Sequence, residues 1–365
     1  MQADTFTLNH FHGGKVFETA RKLNVPPESI LDFSANINPL GPPPGLKDHL
    51  FERFERVVHY PEMGAETLTR ALEERWGLPT GSVLVGNGST SFIYMLPAFL
   101  GIHRVRIAGP AFGEYENACR LAGCSVQYSS PPGGPPWRYD TSAVETLRVS
   151  DGPSTLWVAN PANPTGQFMD PERMLWLVRR LEDSHTILVL DEAFIEFQPG
   201  GSLIAEAARR PNLLVLRSAT KIFALPGLRL GWIVAHPDLI RRLAVRLEPW
   251  AVNMLAQEAG LYCLGQDSYV EETVRFVGEE RDRLTRRLES LSALTVYPSS
   301  ANYVLVRLED PRWNAPGLAR ELEQRRILIR DCTSFPGVGE YFIRLAVRKR
   351  RENELLSAAL QETLG

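Results

Sequence analysis

Along the middle of the chain, short runs of Val, Ile and Leu alternate with longer stretches in which apolar residues recur at helical spacing. The runs are "SVLVGNG" from Ser82, "RVRIAGP" from Arg104, "TLWVANP" from Thr155, "TILVLDEAF" from Thr186, "NLLVLRS" from Asn212 and "RLGWIVA" from Arg229. A strand that is apolar at successive rather than alternate positions is covered on both faces. The pattern therefore predicts an α/β body with a largely parallel sheet. Ahead of it, "GKVFETARKL" places Val16, Ala20 and Leu23 on one face of a short helix, and "NPLGPPPG" (Asn38 to Gly45) closes an N-terminal segment. "SSPPGGPPW" (Ser129 to Trp137) reads as a surface loop. The C-terminal third changes character. A long helical pattern, "ERDRLTRRLESL", aligns Leu284, Leu288 and Leu291. It leads to strand-like "ALTVYP" and "NYVLVRL", then helical "GLARELEQRR", then the runs "ILIRDC" and "YFIRLAVR". This predicts a smaller α+β lobe packed with the N-terminal segment. The expected division is a segment over 1–40, a large domain over 41–255 and a small domain over 256–365.

The 365 residues, 44% apolar and 23% charged, suit a soluble globular protein. A net charge of −3 argues against nucleic acid as a main partner, and "RKRR" (Arg348 to Arg351) reads as solvated surface. The four cysteines, at 119, 124, 263 and 332, form no C-x-x-C pair. They read as reduced and buried, which points to the cytoplasm. No apolar run is long enough to span a membrane, and the first residues lack the apolar core of a signal peptide.

Polar clusters follow four of the predicted strands: "GNGSTS" from Gly86, "NPANPTG" from Asn160, Asp191 with Glu192, and Ser218 with Lys221. Ligands of open α/β sheets bind at the carboxyl ends of strands, so these clusters are expected to face one crevice. "GNGSTS" offers small residues and hydroxyls at a helix start, as a phosphate cradle would, though it matches neither the Walker nor the dinucleotide fingerprint. Its plainer reading is a capped helix. A carboxylate at Asp191 is expensive to bury without a positive partner, whether an arginine or a protonated ring nitrogen. Only five of the 40 basic residues are lysines. Arginine keeps its proton, whereas a buried lysine can become a neutral nucleophile, which singles out Lys221 over a chance surface lysine. Arg229, in "GLRLG", suits a bidentate grip on phosphate or a structural salt bridge. "SATK" also fits the S-x-x-K pattern of penicillin-recognising enzymes, but the companion S-D-N and K-T-G motifs are absent. His10 and His12 are too few to make a metal site, so no metal is expected.

Phosphate cradle, N-P-T-G asparagine, strand-end aspartate, then S-x-x-K with an arginine eight residues on: this ordered set resembles the fold-type I pyridoxal-phosphate (PLP) enzymes. Within them the chain is similar to histidinol-phosphate aminotransferases and, more closely, to the L-threonine-O-3-phosphate decarboxylases of cobalamin biosynthesis. "HGGKVFETARKL", "ILDFSANINPLG", "DEAFIEF", "RSATKIFALPGLRLG", "RILIRDC" and "YFIRLAVR" carry the second likeness. The resemblance implies that Lys221 forms a Schiff base with PLP and then shuttles protons. It implies that Asp191 keeps the pyridinium nitrogen protonated and that Asn163 donates to the phenolic oxygen. Gly88, Ser89, Thr90, Ser218 and Arg229 would hold the cofactor phosphate, and Tyr115, or Phe112 in its place, would stack on the ring. Tyr60 would reach the cofactor phosphate of a neighbouring subunit, which implies a homodimer. His12, Gly13, Asn36, Asn163, Arg330 and Arg344 would bind substrate. Many aminotransferases of the group read D-E-A-Y where this chain has Phe194, a departure shared with the decarboxylases. PLP labilises the Cα bond perpendicular to its ring, so the anion-binding residues decide between decarboxylation and transamination. The implied reaction is decarboxylation of L-threonine O-3-phosphate. The alternatives are histidinol-phosphate transamination and a PLP-fold DNA-binding regulator, for which the segment ahead of the body is too short.

Overall fold

The computed structural model describes residues 12–131, 133–139, 153–182 and 184–365. His10, and Pro132 within the predicted loop, lie outside these described residues. The N-terminal segment forms the expected helix, Val16–Leu23, followed by a two-residue strand, β1 (Leu31–Asp32). All six apolar runs then form strands: β2 (Val83–Asn87), β3 (Arg104–Ala108), β5 (Ser154–Ala159), β6 (Thr186–Asp191), β7 (Leu213–Ser218) and β8 (Leu230–Val234). With β4 (Ser125–Ser129) they make a seven-stranded sheet in the order β2-β8-β7-β6-β5-β3-β4. Only β8 runs against its neighbours. Strand β4, "SVQYS", escaped the apolar pattern because it is an edge strand with alternating exposure.

Successive residues of the central strands feed two different cores, as full coverage requires. Leu188, Leu190, Leu213 and Val215 pack on one face, and Val189, Leu214 and Leu216 on the other, all fully buried. Truncating any one of these leucines to alanine costs about 2–5 kcal/mol. This packing makes the sheet a rigid base for the residues at its edge.

The C-terminal lobe is a second sheet, of β9 (Leu294–Tyr297), β10 (Tyr303–Leu308), β12 (Arg330–Asp331) and β13 (Phe342–Ala346), antiparallel in the order β12-β13-β10-β9. Helix Asp267–Glu289 covers it, and Leu291 falls just beyond that helix. The run "ILIRDC" is not one strand. Its first half, β11 (Ile327–Leu328), pairs in parallel with β1, and its second half joins the lobe's sheet as β12. Phe33 enters the lobe's core beside Leu288, Val304 and Leu345, so the N-terminal segment is part of this lobe's packing. "RKRR" runs into a helix, Arg350–Leu364, whose Leu356, Leu360 and Leu364 are buried at four-residue spacing. Trp137, read as loop surface, is buried against Phe342, with ring centroids 5.4 Å apart. The four cysteines are free and buried. No helix among the described residues is long and apolar enough to cross a membrane.

Candidate active site

The carboxyl ends of β2, β5, β6 and β7 share one edge of the sheet. Because β8 is antiparallel, its first residues lie at that same edge, with Leu230 opposite Asn87 and Gly231 opposite Ser218. Arg229 immediately precedes β8 and is thereby delivered beside the other clusters. They line one cavity of about 810 Å³. Its floor, from the large body, includes Ser89, Thr90, Asn163, Asp191, Phe194, Ser218, Lys221 and Arg229. Its rim, from the N-terminal segment and the C-terminal lobe, includes His12, Gly13, Asn36, Arg330 and Arg344. Phe112 and Tyr115 form a side wall.

Two predicted residues lie outside that lining. Gly88 caps helix Ser89–Leu100 with φ 75°, and a Cβ there would fall 2.7 Å from Arg229 Nη2. Only glycine lets the guanidinium close over the helix start. Arg229 is itself in the left-handed region at φ 59°, a conformation that costs a residue bearing a Cβ about 1 kcal/mol or more. Tyr60 is 80% exposed, stacked on Trp250 at 4.6 Å, and does not line this chain's own cavity.

Lys221 sits on the floor with its amine 5.8 Å from the centre of the Phe194 ring. Burial, reinforced by the charges of Arg344 and Arg229, pushes the amine down to about 8, while Asp191 pulls the other way. A lysine in this state supplies neutral amine near physiological pH. Asp191 accepts a hydrogen bond from the Tyr115 hydroxyl (2.6 Å) and another from the Ala193 N–H (2.9 Å). Burial raises its pKa, and those two donors together with Lys221 restrain the rise. The buried salt bridge weighed for Asp191 belongs instead to the next residue: Glu192 pairs with Arg217 at 3.3 Å, and Arg217 also holds Glu196 at 2.6 Å. Tyr115 is only 1% exposed and meets Phe112 edge to face at 5.7 Å, leaving Phe112 the more open of the two rings.

The rim arginines are held differently. Arg344 donates through Nη1 to Asn163 Oδ1 and through Nη2 to the Ser34 carbonyl at 2.8 Å. Burial pushes its pKa down to about 10. Arg330 donates to Ser334 Oγ at 2.7 Å and lies 5.0 Å over the Phe335 ring. Among the described residues, Asn36, 3% exposed, has no hydrogen-bond partner for Oδ1, and neither has Arg344 Nε. Unpaired buried polar atoms beside a cavity are the mark of a site completed by a polar ligand.

Sequence reasoning missed several residues here. Asn38 donates to the Ile222 carbonyl (2.7 Å), Tyr269 hydroxyl (2.7 Å) and Thr273 Oγ1 (3.1 Å), and its own N–H donates to the Lys221 carbonyl (3.1 Å). It ties the N-terminal segment to the lysine loop and the long helix. Ser34, Glu114, Tyr303 and Ser334 were also missed, since a lone polar residue carries no motif. A neutralisable lysine, a strand-end carboxylate, an amide and a glycine-arginine cradle fit pyridoxal 5'-phosphate in both its aldehyde and its phosphate.

A family model for aminotransferase class I and II matches residues 28–360. The chain is 36% identical over 359 residues to a threonine-phosphate decarboxylase of Salmonella typhimurium, covering 98% of this chain and 97% of that one. The crystal structure of L-threonine-O-3-phosphate decarboxylase from Porphyromonas gingivalis is similar with a TM-score of 0.81 at 31% identity, over 92% of this chain and 99% of that one. That of the histidinol-phosphate aminotransferase from Clostridium acetobutylicum gives 0.83 at 28% identity, over 92% and 99%. Likeness over almost the whole length, in a chain that gathers its lysine, aspartate and asparagine around one cavity, shows that it belongs to the class I and II aminotransferase family, in which it is similar to the threonine-phosphate decarboxylases.

Proposed function

We propose that the protein is a PLP-dependent carboxy-lyase that converts L-threonine O-3-phosphate to (R)-1-amino-2-propanol O-2-phosphate and carbon dioxide, for cobalamin biosynthesis. The observation that carries this reading is one cavity with a lysine amine tuned to about 8 on its floor and two arginines with a histidine on its rim. A substrate with one amine and two anions matches that set. The likeness to the Salmonella typhimurium decarboxylase over nearly all of both chains supports it.

When bound, PLP supplies an aldehyde that captures amines and a ring that accepts the electron pair released at Cα. Lys221 would hold the cofactor and would return a proton to the substrate's Cα. Asp191 would pair with the ring nitrogen. Asn163 has its oxygen engaged by Arg344, so its Nδ2 is the end left to donate to the phenolic oxygen. Gly88, Ser89, Thr90, Ser218 and Arg229 would grip the phosphate, and Phe112 or Tyr115 would cover the ring. Arg330 and Arg344 take the substrate's two anions, assisted by His12, Gly13 and Asn36. Phe194 supplies no hydroxyl to the phenolic oxygen, in keeping with the decarboxylases.

The assembly in this reading is a cytoplasmic homodimer, each chain dividing into an N-terminal segment (1–40), a large domain (41–255) and a small domain (256–365). Exposed Phe51, Phe54, Val58, Tyr60, Met63 and Trp250 support a subunit interface, with Tyr60 directed to the neighbouring site. The deciding experiment supplies threonine phosphate without a keto acid and measures carbon dioxide. Release is the expected result. No release, with 2-oxoglutarate-dependent amino transfer from histidinol phosphate, would establish the aminotransferase reading instead.

A further inference from the structure

We infer that Glu114 is a positioning residue that fixes His12 at the cavity mouth and thereby sets selectivity for a phosphorylated substrate. The inference rests on the phosphorylated-substrate reading above. Glu114 is a carboxylate whose side chain is 4% exposed, in the wall of a cavity that also carries Lys221, Arg229, Arg330 and Arg344. An unscreened carboxylate would repel the anions that the arginines attract. Glu114 is screened by what surrounds it. Oε2 accepts from the Tyr94 hydroxyl, and Oε1 accepts from Asn117 Nδ2 at 3.3 Å. It also stands in the first turn of helix Gly113–Leu121, whose dipole favours a negative charge. These contacts come from the large body, which thus holds the carboxylate from its own side.

The segment then meets it. His12 Nε2 lies 2.7 Å from Glu114 Oε1, and the imidazole sits 5.4 Å from the Phe112 ring. With Nε2 donating to the carboxylate, the other ring nitrogen is a donor only when the ring carries both protons. The pair therefore holds the imidazole at the cavity mouth, where a substrate phosphate is proposed to lie. The next residue fixes the backbone on the other side: a Cβ on Gly13 would fall 2.2 Å from the Ser34 carbonyl oxygen, and Gly14 N–H donates to Ser34 Oγ at 2.8 Å. The His12 side chain is 43% exposed, and Glu114 and the Phe112 ring both bear on it from the large body.

The test is Glu114→Gln in the PLP-loaded enzyme, assayed with threonine phosphate and with threonine. We expect KM for the phosphorylated substrate to rise about ten-fold, kcat to fall less than three-fold, and the kcat/KM ratio of phosphorylated to unphosphorylated substrate to drop about ten-fold. In a His12→Gln background the same substitution should cost nothing further. Equal losses on both substrates, an unchanged KM, or additive losses in the double variant would overturn the inference. Melting curves and the cofactor absorbance of Glu114→Gln identify misfolding, and a misfolded variant is replaced by Glu114→Asp, for which the same outcomes apply. If the wild type does not decarboxylate threonine phosphate, the proposed function fails by itself. Glu114 is then judged by the same ratio for histidinol phosphate against histidinol.

Discussion

The floor and the rim of the cavity are built by different means. Floor residues stand at the ends of strands fixed by two full cores, and each is a few residues from a β-strand whose register is set by its neighbours. Rim residues come from chain positions some three hundred residues apart, joined through the β1–β11 pairing and through single bonds such as Arg344 to the Ser34 carbonyl. A rigid sheet suits groups that must hold one cofactor in one pose. A surface shared between the N-terminal segment and a separate lobe suits recognition, because small shifts there change which substrate fits. Arg344 is bonded to both regions, through Asn163 on one side and Ser34 on the other.

This contrast can be broken experimentally. The largest effect is expected for Lys221→Ala, which should lower turnover by at least about 10²–10⁴-fold and abolish the cofactor's bound absorbance band. Measurable turnover near the wild-type rate would remove Lys221 from the floor's chemistry. Next comes Arg344→Gln. Breaking a buried, hydrogen-bonded cation that serves both regions should cost on the order of 10²-fold in kcat/KM and also perturb the absorbance. Arg330→Gln, confined to the rim, should leave the absorbance intact, and an equal spectral change in the two variants would erase the distinction. Gly13→Ala is smaller and purely a rim effect. The Cβ must displace the Ser34 carbonyl, so KM should rise about ten-fold with unchanged absorbance.

The smallest expected effect is on stability. Without cofactor, Lys221 titrates near 8 when folded, against 10.5 ordinarily. Between these values the unfolded chain holds a proton that the folded chain has released, so stability rises with pH across that window. Below about 8 the charged amine is a full cost. Relative to Lys221→Met, the melting temperature of the cofactor-free wild type should climb by on the order of a few °C from pH 8 to 10. A constant difference would show that the amine is not buried as the floor requires.

The floor was largely legible in the amino-acid order. Continuous apolar runs followed by Gly-Asn-Gly, Asn-Pro, Asp or Ser-x-x-Lys locate strand ends directly, and strand ends of a parallel sheet converge. Edge strand β4 was not legible, because exposure on one side replaces the apolar run with polar alternation. Glu114 and Asn38 were not legible either. Each is a lone polar residue whose importance lies in partners distant in sequence, His12 for one and Ile222, Tyr269 and Thr273 for the other.

By itself, then, the sequence determined the alternation of strands and helices, the chemistry of the strand ends and Lys221 as the one lysine among them, since these depend on local pattern and residue type. The tertiary structure decided that "ILIRDC" splits between two sheets, that Arg344 clasps both Asn163 and Ser34, and that Glu114 faces His12. Those outcomes depend on which distant surfaces pack together. Packing is settled by the burial of whole faces and the pairing of their polar atoms, and no local spacing encodes it.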